Sequence, residues 1–128
     1  MTTQPSLIDE LERALAMGDD AQRNEMLARI TDLFLAGATR YSVQHIGLFD
    51  EVIAKLATAI EAKARAKLSI RLADVPTAPV GVVRMLAFDD DIEVARPVLK
   101  DSERLTDPDL IANATSKSQQ HLGGIAER

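Results

Sequence analysis

Three places in this chain carry side chains that could do chemistry. The first is Asp89-Asp90-Asp91, a candidate cation loop. Calcium loops need about five or six oxygen ligands at alternating positions, a glycine at the turn and a distal glutamate. Here the triplet runs straight into Ile92 with no glycine. The plainer reading is a helix end followed by Asp91 as the N-cap of the next helix, with acids near the positive end of its dipole. The second is His45, placed where a phosphoacceptor histidine on a helical bundle could sit. Such a site wants a pattern like His-x-x-Lys-Gly, whereas the run here is His45-Ile46-Gly47-Leu48-Phe49, without the lysine. A half-exposed histidine with ordinary partners is the plainer reading. The third is His121-Leu122-Gly123-Gly124, whose paired glycines suggest a phosphate loop. No strand precedes it and no Gly-x-x-x-x-Gly-Lys is present, so close helix packing or a frayed end explains it as well. The two histidines lie too far apart in sequence to form an i,i+4 metal pair.

The composition excludes further chemistries. There is no cysteine, which removes disulfides, thiolate nucleophiles and zinc–thiolate sites. The formal net charge is −5, so the basic footprint of a nucleic-acid binder is missing, and the scattered Lys and Arg give no pull toward an anionic membrane. Glu61, Lys63, Arg65 and Lys67 form a charged helix face; solvation is its default role, with a partner groove as the alternative. The N-terminal Met-Thr-Thr-Gln-Pro-Ser does not read as a signal peptide, and no apolar run approaches the ~20 residues of a membrane span. A cytoplasmic protein is the expectation. With only three Phe and one Tyr, the core of this 128-residue chain is aliphatic, which suits helix packing better than a sheet.

The elements that must position these residues follow from apolar spacing. A first helix starts at the Ser6 cap, with Pro5 just outside, Asp9 and Glu10 in its first turn, and a stripe of Leu7, Ile8, Leu11 and Leu15; Gly18 ends it as a left-handed cap. A second, capped by Asp20, reaches Ala36 and stops at Gly37, with Met26, Leu27, Ile30, Leu33 and Phe34 buried and Glu25–Arg29 as an i,i+4 pair. A third starts at Ser42 and can reach Leu72 as one rod of roughly 45 Å, with a stripe of Ile46, Phe49, Ile53, Leu56 and Ile60; a break near Lys67–Ser69 is the alternative, though nothing demands it. Asp74–Pro79 is a linker, and Pro79 suits the N1 position of a fourth helix over 79–88. Asp91 caps a fifth helix over 92–100. Pro97 inside it either bends it, at about 3 kcal/mol in an ordinary helix interior, or ends it early. Thr106 with Asp109 makes a capping box that opens a sixth helix, with Pro108 in its first turn, to about Thr115. Ser118 caps a seventh over 119–126.

The last two hairpins repeat weakly at an offset of 27 residues: Asp91 matches Ser118, Val83 matches Leu110 and Val98 matches Ile125. Four segments resemble a bacterial family of HEAT-like helical proteins known as domain of unknown function 2336. They are Asp32–Ala38 (Asp-Leu-Phe-Leu-Ala-Gly-Ala), Leu86–Asp91, Val94–Leu99, and Leu105-Thr106-Asp107 with Asp109-Leu110. The resemblance covers most of the chain. It implies an all-helical fold of stacked helix pairs and no activity, and family members are longer, with further helix pairs downstream.

The expected architecture is therefore all-α: an N-terminal helical bundle over residues 1–75, then HEAT-like helical hairpins over 76–128, forming one continuous α-solenoid-like domain. The expected function is that of a non-enzymatic module for protein–protein interaction or self-association, without cofactor, metal, nucleic acid or membrane. Leu110, Ile111, Leu122 and Ile125 are its interaction edge, which a homodimer could cover. The alternative is a bacterial signalling domain with a phosphorylatable His45. A HEAT-like enzyme or nucleic-acid-modifying fold is a third reading, disfavoured by the acidic charge and the lack of Trp.

Overall fold

Hydrophobic residues at helical spacing, separated by caps and prolines, fold into eight α-helices, with no strand among the described residues. The computed structural model describes residues 7–128, apart from the side chains of residues 7, 8, 10, 11 and 14. The expected Ser6 cap, and the Leu7, Ile8, Glu10 and Leu11 side chains, lie outside the described residues. The helices are α1 (Leu7–Met17), α2 (Asp20–Ala36), α3 (Val43–Thr58), α4 (Ala62–Leu72), α5 (Val80–Ala87), α6 (Ile92–Asp101), α7 (Asp107–Ser116) and α8 (Gln119–Ala126). The all-helical fold stands as read from the apolar periods.

Most helix starts are set by local caps. Ser42, Asp91, Thr106 and Ser118 each accept a backbone N–H from the first turn that follows, and Thr106 with Asp109 completes the capping box. Three expectations about α1 and α2 need correction. Leu33, expected in the buried stripe of α2, is 48% exposed. Asp19, not Asp20, caps α2, because Gln22 stands three residues after it and closes a reciprocal box: Gln22 N–H donates to Asp19 Oδ1 at 2.8 Å, and Asp19 N–H donates to Gln22 Oε1 at 3.0 Å. Gly18 is not left-handed, since no described residue has a positive φ.

The largest correction concerns the single long third helix. The chain turns at residues 59–61, where Ala59 N–H reaches back only to Leu56 O and Glu61 starts a new helix in extended geometry. No helix-breaking residue marks the spot; packing decides it. The turn buries Ile60, and the Arg65 guanidinium donates to the freed Ile60 carbonyl at 2.6 Å. A straight rod would present one stripe in one direction. The bend lets α3 pack on α2 and α5 while α4 packs on α6.

Pro79 is the N-cap of α5 rather than its N1 residue, and it has no capping side chain. Asp50, on α3, takes over that role from a distance: its carboxylate accepts Gly81 N–H at 2.9 Å and Val82 N–H at 2.8 Å. The approach uses the bare glycine: a Cβ at Gly81 would stand 2.7 Å from an Asp50 oxygen, so the carboxylate would have to shift off its donors. Pro97 does not end α6, which continues to Asp101.

The layers follow from these contacts. Helices α4, α6 and α8 lie in succession, each packed on the next, while α5 pairs with α6 and α7 pairs with α8. On the other side α3 packs on α2 and α5, with α1 against α2 and α3. One largely aliphatic core runs through the stack, and it crosses the Asp74–Pro79 linker, with Ala73 just before it and Ala78 within it buried. Linker groups are tied in turn: Thr77 Oγ1 donates to Ala38 O at 2.8 Å and Arg104 Nε to Ala78 O at 2.9 Å.

A candidate interaction edge and the polar seam behind it

The acidic turn between α5 and α6 is a structural hub. Asp89 Oδ2 accepts from Arg65 Nε of α4 at 2.8 Å, and its Oδ1 accepts Asp91 N–H at 2.9 Å. Asp90 accepts from Lys117 Nζ at 2.6 Å. Asp91 caps α6 through Glu93 N–H at 2.9 Å. Each carboxylate thus has a partner within the fold. No group of three or more His, Asp or Glu among the described residues is placed to hold a metal ion.

The same turn is gripped from behind by two buried polar side chains. Asn113 Nδ2 of α7 donates to Ala87 O at 2.8 Å. His121 of α8 is 2% exposed; its Nε2–H donates to Asp89 O at 2.8 Å and its Nδ1 meets Ser118 Oγ at 2.6 Å. His121 is therefore neither ligand nor frayed end. It pins the last hairpin to the one before it. Farther along the same interface the Arg128 guanidinium donates to Leu99 O and Ser102 O, and Arg96 pairs with Glu127 at 2.6 Å.

The charges along this seam are shifted by their partners. The Lys117 hydrogen bond and charge hold the Asp90 carboxyl below its ordinary value. Asp109 is lowered chiefly by the backbone N–H of Thr106, with help from the Thr106 hydroxyl and the Arg84 guanidinium. Glu127 is lowered and Arg96 raised by their mutual hydrogen bond.

On the other side of α7 and α8 lies the expected interaction edge, and its four residues divide. Leu110 and Ile125 are half-buried and pack against the core. Ile111 and Leu122 point outward, 66% and 43% exposed. The two adjacent glycines of α8 divide in the same way. A Cβ at Gly124 would touch Leu99 Cβ at 3.5 Å, whereas a Cβ at Gly123 would meet nothing within 4 Å.

His45 lies elsewhere, at the junction of α2 and α3. It is exposed and shares a groove of about 460 Å³ with Leu33, Arg40, Tyr41, Leu48 and Phe49. Its ring lies edge-on to Tyr41 at 6.1 Å, and Tyr41 continues through Phe34 and Phe49 into an aromatic cluster. The fold does not bring His45 to the acidic turn or to His121.

Asp50, Arg65, Asn113 and His121 were missed as linking residues. For the last two a signal existed. Asn113 lies three residues after Leu110 and His121 four before Ile125, on the inward stripe, where a polar side chain needs a buried partner.

No protein-family model, curated protein or solved structure matches this chain. No helix among the described residues is long and apolar enough to cross a membrane.

Proposed function

We propose that this chain is a non-enzymatic helical-repeat module, of the HEAT-like type its sequence resembles, that works in the cytoplasm by binding protein through the outer edge of its last hairpin. One observation carries the reading: the α7–α8 hairpin is locked on its inner side by His121 and Asn113 yet leaves Ile111 and Leu122 in solvent. Apolar groups left out by a hairpin this firmly placed are a surface, in the way that one face of any repeat is available to the next. The groups best suited to chemistry, the three aspartates and His121, are engaged in holding helices together.

Affinity capture from the native cell tests the proposal, comparing the wild type with an Ile111→Glu/Leu122→Glu variant of unchanged helicity. The variant is expected to lose proteins that the wild type retains. An identical captured set from both would refute the edge as the working surface.

A second reading, a phosphorylatable His45, draws on its exposure and on Arg40 in the same groove, a cation able to meet a phosphoryl group. Phosphohistidine detected on the purified protein and lost in His45→Ala would support it; its absence under phosphate donors would remove it.

A further inference from the structure

We infer that the cleft between α2 and α4 is a binding site for a small monocarboxylate, a molecule with one carboxylate head and a short apolar body. The inference does not depend on the edge reading above.

Helix α2 packs on α1 and α3, and α4 packs on α5 and α6, so neither lies face to face on the other. A cleft of about 230 Å³ remains between them. Each helix gives it one stripe. On α2 the stripe runs from Asn24 to Thr31 and on α4 from Ala64 to Arg71, with members at i, i+3, i+4 and i+7 in both. Leu27, Thr31 and Leu68 are buried and form the floor. The Thr31 hydroxyl donates to Leu27 O at 2.7 Å, which leaves the floor without a free donor. Ala28 and Ala64 form the walls, and their side chains end at Cβ, which keeps the cleft open.

The polar members select the ligand. Residues 62–73 carry Lys63, Arg65, Lys67 and Arg71 and no acid, on a chain of net charge −5. Arg65 is committed to Asp89 and Arg71 to Asp32. Lys67 has no ion-pair partner among the described residues, and no carboxylate lines the cleft. The Asp32 pair ties the Arg71 guanidinium of α4 to α2 beside the cleft. An apolar concavity with one unpaired ammonium and one fixed guanidinium focuses its field on an anion. Asp32 already offsets the Arg71 charge, so the site balances one negative charge rather than the two of a phosphate. Asn24 adds a polar group on the α2 side. Its side-chain oxygen is buried without a donor, so the carboxamide gives up no bond there when it turns to meet a ligand. The volume takes about eight water-sized groups at roughly 30 Å³ each, which suits an acid of a few carbons and excludes a nucleotide or a peptide.

An NMR titration of the full chain with butyrate tests this. Saturable shifts are expected at amides of α2 and α4 around Asn24, Ala64 and Lys67. Butyramide, of the same shape but uncharged, and inorganic phosphate should each bind about tenfold more weakly or worse. Lys67→Gln should weaken butyrate binding about tenfold or more while keeping the wild-type melting temperature. Lys63→Gln removes the same charge from the same helix outside the cleft and should bind as the wild type does. Ala28→Leu, which fills the cleft from α2, should abolish the shifts and serves if Lys67→Gln fails to fold. Absence of saturable shifts, equal binding of butyramide or phosphate, equal losses in Lys63→Gln and Lys67→Gln, or binding that survives Ala28→Leu would overturn the inference.

Discussion

Hairpins α5–α6 and α7–α8 share a layout and an offset but not a fate. In the first, Val82, Val83, Leu86 and Ala87 of α5 and Val94, Ala95, Val98 and Leu99 of α6 are fully buried. In the second, the wholly buried side chains are polar: Asn113 of α7 and His121 of α8. The matched pairs show the gradient directly, with Val83 and Val98 sealed while Leu110 and Ile125 stay half-exposed. The inner hairpin is covered on both sides, by α4 and by α8, and is held by apolar area. The outer one is covered on one side and is held by hydrogen bonds to backbone carbonyls that α5 and its turn leave free. Such bonds fix direction and register, which a thin apolar contact does not.

The comparison breaks most visibly under truncation. Leu99→Ala, in the inner hairpin, should cost about 2–5 kcal/mol, and Leu122→Ala, in the outer, no more than about 0.5 kcal/mol. Urea titrations read both, and similar losses would erase the distinction. Next in size is His121→Ala, which leaves the Asp89 carbonyl without its donor and should cost about 1–3 kcal/mol by the same titration. An unchanged midpoint would mean that the seam does not hold the last hairpin. Smaller again are the caps. Asp50→Ala and Asp91→Ala should each lower stability by about 0.5–2 kcal/mol, the first through a cap supplied by another helix and the second through a local one. Calcium or magnesium should leave the wild-type melting temperature alone; a metal-dependent rise of several degrees lost in Asp91→Ala would reopen the acidic turn as a cation site.

The smallest effect is on pH. A carboxyl whose folded-state value lies below its unfolded one contributes stability that is full above the unfolded value and is lost as pH falls through the folded value. Asp109, lowered first by the Thr106 N–H, is in this class. Thermal melts should therefore decline from about pH 4 downward, and Asp109→Asn should decline less steeply over that window. Parallel curves for the two proteins would remove Asp109 from the acid response.

Local signals wrote most of this fold into the sequence. Caps such as Ser42, Asp91, Thr106 and Ser118 act within one turn of their own helix, so their types and positions suffice to place helix starts. The turn at residues 59–61 was invisible because it has no local cause; alanines allow a helix to continue, and the burial of Ile60 against distant helices ends it. Asp50 was hidden for the same reason, since its partners at Gly81 and Val82 are brought near only by tertiary packing. The proposed interaction edge was half legible. Periodicity marks Leu110, Ile111, Leu122 and Ile125 as apolar positions of helices, but inward and outward members separate only once the neighbouring helix is in place.

Helix α8 condenses the account into two adjacent residues, one built into the stack and one facing out of it. Thermal unfolding of Gly123→Leu and Gly124→Leu tests this most directly. Gly123→Leu should melt at or slightly above the wild type, since helix propensity rises by roughly 0.5–1 kcal/mol and the added side chain enters open space. Gly124→Leu should melt several degrees lower, because the atoms beyond its Cβ run into Leu99 and Arg96 and overpacking costs about 1–3 kcal/mol. Equal losses in the two variants, or the reverse order, would contradict the open outer face.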